Sequence, residues 1–252
     1  MQPFMKYLLL IAAIVVVLAF IVVVARRRND SAKTEADSSP TSGAVNFVDP
    51  SQVMYTLPTI CDRLAPVEAP TDTPTKGDLI LHEDDWRQIE FVPLADSGYI
   101  SSQLGELRQF KIDHKIGFGF SSIFVRPDHP TAFGKLSLRL TDLSSALGVG
   151  SGNLFISEPT IFPPIGSVGH VSGGFSFRID DNFNIYGFHR DGSVQSLGIT
   201  IDVYEAGSPD IDKVSTALRK IRNLVEVNIV DWYQGTMVAP DSLSEIKAWL
   251  QR

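Results

Sequence analysis

The chain has 252 residues, 44% of them hydrophobic and 20% charged, which is enough apolar material for one globular domain beside a targeting segment. Five basic residues and one acidic residue fall within positions 1–33, so the rest carries 17 basic against 28 acidic residues, a net of −11. Such an acidic domain excludes nucleic acid as a partner, because phosphate affinity rests on Lys and Arg, and it is not expected to lie flat on an anionic membrane surface.

Residues 7–25 read YLLLIAAIVVVLAFIVVVA, without a charge. About 20 apolar residues at 1.5 Å each cross the hydrocarbon core of a bilayer, so one membrane span is expected here. Val23-Val24-Ala25 loosely resembles a leader cleavage site. The run is nevertheless longer than the about 7–15 apolar residues of a leader, and Arg26, Arg27 and Arg28 follow it directly. Residues 1–28 therefore read as a short external tail and an anchor. Arg26, Arg27, Arg28 and Lys33 outweigh Lys6 and the terminal amine on the other flank. The positive-inside rule then places the N-terminus outside and the bulk of the chain in the cytoplasm.

Residues 29–77 read as a linker. Positions 29–43 are polar and expected to be disordered. Positions 44–64 hold apolar residues (Val45, Phe47, Val48, Val53, Tyr55, Leu57, Ile60) without a period, which suits a docking segment or a weakly ordered arm. Positions 65–77 hold three prolines among polar residues and suit a semi-extended spacer. Cys61, the single cysteine, lies in this linker. It excludes an intrachain disulfide, suits a reducing compartment and has no rigid element to hold it for catalysis.

The globular domain is expected over 78–252. Residues 85–93 alternate at Ile89 and Phe91 and read as a strand. Residues 101–114 place Leu104, Leu107 and Ile112 at helical spacing behind Ser101 as cap. Strands are expected at 118–126 and at 135–143, where Leu136, Leu138 and Leu140 alternate. Residues 148–174 are Gly-rich and read as loop with short strand pieces. Further strands are expected at 174–186 and 196–204, with a turn at Arg190-Asp191-Gly192. The clearest helix is 208–224, with Ser208 as cap and Ile211, Val214, Leu218, Ile221 and Val225 in one stripe. A strand at 225–230, a turn at 233–235, a return strand at 236–238 and a helix over 240–250 complete the chain. The sum is α+β: an antiparallel or mixed sheet with helices packed on one face.

No catalytic motif emerges. His82, His114, His129, His170 and His189 lack metal-ligand spacing and read as loop or surface residues. GVGSG at 148–152 and GHVSGG at 169–174 lead into no convincing helix, so they read as loops and not as phosphate cradles. Glu83-Asp84-Asp85 reads as a solvated cluster. No cofactor and no metal is expected.

The layout of anchor, basic stop, linker and cytoplasmic α+β domain resembles the ZipA family of bacterial cell-division proteins. The pieces that carry the resemblance are Gly198-Ile199-Thr200-Ile201, the helix at 208–224, Ile229-Val230-Asp231, and Met237-Val238-Ala239-Pro240 followed by SLSEIKAWL. Gly105-Glu106-Leu107, Gly117-Phe118-Gly119-Phe120 and residues 138–143 match upstream. The stretch between Leu143 and Gly198 is longer and more Gly-rich than is usual in that family, and Asp202 falls where the family tends to be aromatic. The resemblance implies a non-enzymatic tether of the division ring, single-pass in the bacterial inner membrane, with a periplasmic N-terminus. It implies that the domain binds the C-terminal tail of FtsZ in a shallow apolar groove on an exposed sheet face. By position, the groove would use Ile89, Phe91, Ile123, Val125, Leu143, Ile201 and Val203. Two other readings stay open: a membrane-anchored interaction or immunity-type module with an unrelated partner, which would show a loop-built or acidic binding face, and an anchored enzyme, in which His114 or His189 would meet carboxylates in one pocket.

Overall fold

The computed structural model describes residues 54–68, 73–157, 168–202 and 207–251, all within one unit spanning 50–252. The apolar run at 7–25, the polar stretch at 29–43 and Val203 lie outside the described residues. Among the described residues no helix is long and apolar enough to cross a membrane.

The globular unit begins well before Asp78. β1 (Thr59–Cys61) and β2 (Val67–Glu68) both pair with strands from later in the chain. Thr59, Cys61 and Ala65 are buried. Strands of two or three residues are too short to show a period, which is why this stretch resembles a linker in sequence.

β3 (Leu79–His82), β4 (Ile89–Pro93) and α1 (Ser97–His114) follow. A small hairpin of β5 (Lys115–Ile116) and β6 (Gly119–Phe120) then leads to β7 (Phe124–Arg126). α2 (Leu140–Leu147), β8 (Ser151–Gly152), β9 (Leu154–Ser157) and β10 (Val168–Val171) come next. Three longer strands form a meander: β11 (Gly174–Asp180), β12 (Phe183–Arg190) and β13 (Ser193–Ile201). The chain ends with α3 (Ile211–Leu224), β14 (Val227–Asp231), β15 (Thr236–Val238) and α4 (Leu243–Leu250).

Among the described residues the main sheet runs β15-β14-β4-β13-β12-β11-β8 and is antiparallel throughout. A smaller mixed sheet runs β2-β10-β9-β3, with β3 and β9 parallel. The turn at Arg190-Asp191-Gly192 is present. Asp191 and Gly192 take φ of 52° and 75°, as a two-residue hairpin loop with two left-handed positions requires.

Strand alternation assigns the two faces of the main sheet. Phe91 lies opposite Ile229, and both join Phe175, Phe177, Phe183, Ile185, Leu197 and Ile199 in one core. That face is covered by Leu143 and Leu147 of α2, Leu218 and Ile221 of α3, and Ile246 and Trp249 of α4. Val92 and Val230 point to the other face, where Ile100, Leu104 and Leu107 of α1 cover them. Farther along that face, Tyr186 packs against Trp86 and against Leu154, Ile156 and Val171 of the smaller sheet. Gly198, opposite Tyr186 in the ladder, gives that ring its room: a Cβ there would lie 2.6 Å from Tyr186 Cζ.

Helices therefore cover both faces, which corrects the expectation of helices on one. The reason is legible in β4 and β14, whose neighbouring residues Phe91 and Val92, Ile229 and Val230 are all fully buried. A central strand packed on both sides shows a continuous apolar run in place of alternation. The strand expected at 135–143 is also corrected. Phe133–Leu136 forms a 3-10 turn, Ser137 adopts φ 59°, and Leu140, Leu143 and Leu147 share a helix at spacing three and four. The cap of α3 is Asp210, whose side chain accepts from the backbone N–H of Asp212 and Lys213, in place of Ser208.

Candidate functional site

The parallel pairing of β1 with β7 makes a two-stranded ribbon in which Ile60 lies beside Val125. Thr59, Cys61 and Arg126 turn inward and are buried, whereas Val125 is half exposed. Because the strands are parallel, both leave the ribbon at the same end. The segment carrying Arg63 and Leu64 and the segment carrying Asp128 and His129 consequently meet there. Arg63 Nε lies 2.5 Å from Asp128 Oδ2 and ties them together. Thr131 pins the second segment by donating its N–H and hydroxyl to the buried carboxylate of Asp96, at 2.9 and 2.8 Å.

These segments form one side of a cavity of about 340 Å³, whose other walls include Trp86, Phe91, Phe133, Phe188, Arg190, Gln195 and Ser196. Arg87 is the hub of its charged side. Arg87 Nε donates to Glu90 Oε2 at 2.6 Å and Nη1 donates to Asp128 Oδ1 at 3.1 Å. Nη1 also lies 3.2 Å from the Cys61 sulfur, and Nη2 lies 3.0 Å from His129 Nε2. His129 Nε2 is in turn 3.2 Å from Glu90 Oε2. The other Glu90 oxygen accepts from the Trp232 indole at 2.7 Å.

The backbone of Arg87 is held at φ 56°. A non-glycine residue persists in that region only where its surroundings over-determine it. Here the Arg87 N–H donates to the Tyr186 hydroxyl at 2.8 Å, and its carbonyl accepts from Arg126 Nη2 at 2.9 Å. Arg126 lies 4.8 Å from the Trp232 ring centroid, a cation–π arrangement.

Burial acts against every charge in this network. It opposes ionisation of Glu90, but Arg87 and then His129 outweigh it and hold the carboxyl well below the ordinary range. Burial likewise opposes the Arg87 charge, and Glu90 overrides it, so Arg87 stays protonated. Arg126, with a weaker share of Glu90, is pushed down to about 10 by burial. Burial raises the thiol of Cys61 and so keeps it from becoming a thiolate.

The residues expected to line a sheet groove do not gather in one. Phe91 and Leu143 are buried in the main core, and Ile89 and Ile201 pack against it. Ile123 is half-buried just before β7, and Val125 lies on the outer face of the ribbon. His114 stacks on Phe110 at 4.3 Å, and His189 Nδ1 accepts from Gly192 N–H at 3.2 Å within its turn. Neither lines the cavity. His129 does, beside Glu90 and Asp128. Its Nδ1 and the Ser196 hydroxyl are both buried without a hydrogen-bond partner, so this serine and this histidine do not form a nucleophile–base pair. Among the described residues no group of His, Cys, Asp and Glu is arranged to hold a metal ion.

No family model, no curated protein and no solved structure matches this chain.

Proposed function

We propose that this chain is a membrane-anchored binding protein without a catalytic step, holding a protein partner near the bilayer through the β1–β7 ribbon and the adjoining cavity rim. The observation that carries the proposal is the division of labour at that end of the molecule. Ile60, Leu64 and Val125 face outward, with Leu64 and Val125 about half exposed. The charged groups behind them spend their hydrogen bonds on one another and on the Trp232 indole. Such a network makes a rigid support, and neither β1 nor β7 has a second strand neighbour among the described residues. An extended segment with apolar side chains suits the outer side of β7, where Val125 is half exposed; the β1 side is closed, since the buried Thr59 carbonyl accepts from Gln88 Nε2 at 2.7 Å. The anchor itself is proposed from residues 7–25 and the orientation from Arg26, Arg27 and Arg28.

The partner proposed on the sequence resemblance is the C-terminal tail of FtsZ, which would make the protein a tether of the bacterial division ring at the inner membrane. In this form of the proposal the docking surface lies on the ribbon, with Ile123 and Val125, and not on the main sheet, whose two faces are covered. Burying a few hundred Å² at about 25 cal/mol per Å² gives several kcal/mol before association costs, so single-site affinity is expected to be micromolar, strengthened by avidity along a filament. The test is retention of FtsZ by vesicles carrying the full chain, compared with Ile123→Lys.

A further inference from the structure

We infer that the β5–β6 hairpin is a second membrane contact, which inserts Phe118 and Ile116 into the interfacial layer of an anionic bilayer. The inference goes beyond the partner reading above and rests only on its anchored half. Phe118 is 98% exposed, the most exposed large apolar residue among those described; Ile116 in the same hairpin, Met54 against Gly119 and Ile112 in the last turn of α1 are exposed as well. A free aromatic at a loop tip costs solubility and is informative where it is grouped with others.

The hairpin presents Phe118 rigidly. Ile116 pairs with Gly119, leaving a two-residue loop whose first position, Gly117, takes φ 51°. Behind the tip, Tyr55 and Phe120 exchange two backbone hydrogen bonds at 2.9 Å. Phe110 packs edge-on to Phe124 with centroids 5.6 Å apart and stacks on His114.

The local charge is the opposite of the domain's. Between Arg108 and Val125 the charged residues are Arg108, Lys111 and Lys115 against Asp113 alone. Lys115 Nζ rides 4.5 Å above the Phe120 ring, and Lys111 Nζ donates to the carbonyl of the exposed Tyr233. Basic side chains at the rim of exposed aromatic and aliphatic residues are the pattern of an interfacial element. An acidic domain that is repelled elsewhere would touch an anionic surface by this corner. Met54, the first described residue, crowds Gly119, where an added Cβ would lie 2.6 Å from Met54 Cγ. Met54 thus lies against this hairpin.

The test uses the full chain reconstituted in phosphatidylglycerol-containing vesicles, with Phe118→Cys carrying an environment-sensitive fluorophore. The native Cys61 is buried, and Asp241→Cys serves as an exposed control. The expected result is blue-shifted emission from position 118, quenched by spin-labelled lipid, with Asp241→Cys unaffected. Combining Lys111→Glu with Lys115→Glu should abolish both signals. A water-exposed signal at 118 in floating vesicles overturns the inference but leaves the anchor standing. A blue-shifted signal that lipid does not quench also overturns it, since residues 44–53 or a second copy would then cover the tip. A chain that does not float with the vesicles overturns both.

Discussion

The indole N–H of Trp232 donates to Glu90 Oε1 at 2.7 Å, joining residues 142 positions apart in the chain. This bond and the 2.6 Å contact from Arg87 to the other carboxylate oxygen hold a side chain that is only 4% exposed. A buried charge of this kind is stable only as part of its network, because removing one partner leaves another uncompensated. The rim of the proposed docking surface is built on that network through Arg87 and Asp128.

Glu90→Gln should therefore destabilise the fold by about 3–5 kcal/mol, the usual cost of breaking a buried pair from one side. The effect should depend on pH. The folded-state pKa of Glu90 lies below its unfolded value of about 4.5, so the unfolded chain binds the extra proton in that window. Its contribution is present above the unfolded pKa and is lost as pH falls through the folded one. Urea titrations of the two proteins should differ fully at neutral pH and converge as the pH falls below about 4.

Trp232→Phe removes the indole N–H that donates to Glu90 and also replaces a fully buried bicyclic ring with a smaller one, so the unpaired carboxylate is joined by a small cavity. A loss of about 1–3 kcal/mol is expected from a buried charged acceptor left one bond short. Chemical denaturation reads it. An unchanged midpoint would show that Arg87 alone satisfies Glu90.

The capping of α3 distinguishes two residues on either side of Pro209. Asp210→Ala should cost about 1 kcal/mol, because its carboxylate accepts from the N–H groups of Asp212 and Lys213. Ser208→Ala should cost less than about 0.5 kcal/mol, as an exposed residue away from such a feature. Equal losses in thermal unfolding would contradict the assignment.

Gly198→Ala should destabilise by about 1–3 kcal/mol through overpacking, since its Cβ would meet the fully buried Tyr186 ring at 2.6 Å. A neutral result would mean that the ring, and with it the smaller sheet, shifts at little cost.

Much of the α+β architecture is legible in the sequence, because it rests on local signals. The stripe from Val214 to Ile221 places α3, and Asp191-Gly192 places the β12–β13 turn. Two elements mislead for definable reasons. Leu136, Leu138 and Leu140 alternate like a strand, yet Ser137 in a left-handed conformation breaks the extended path. Within 174–186 the Asp180-Asp181-Asn182 cluster is the turn signal, without glycine or proline, and it lies where Asp180 and Phe183 bound the turn between β11 and β12.

The candidate site is less legible because distant segments make it. Arg87, Glu90, Asp128, His129 and Trp232 carry no common motif: the β4–β14 pairing brings Trp232 to Glu90, and the segment after β7 brings Asp128 and His129 to Arg87. The one available hint was Glu90, a carboxylate between the apolar residues Ile89 and Phe91, at the alternate position of a strand buried on both faces.

Retention of FtsZ by vesicles carrying the full chain, with and without Val125→Asp, addresses both the partner and the surface at once. Val125 is about half exposed, so the substitution should leave stability within about 0.5 kcal/mol. The expected result is that FtsZ is retained by the unaltered chain and lost with Val125→Asp. Equal retention by both would place the docking surface elsewhere, and no retention by either would exclude FtsZ as the partner.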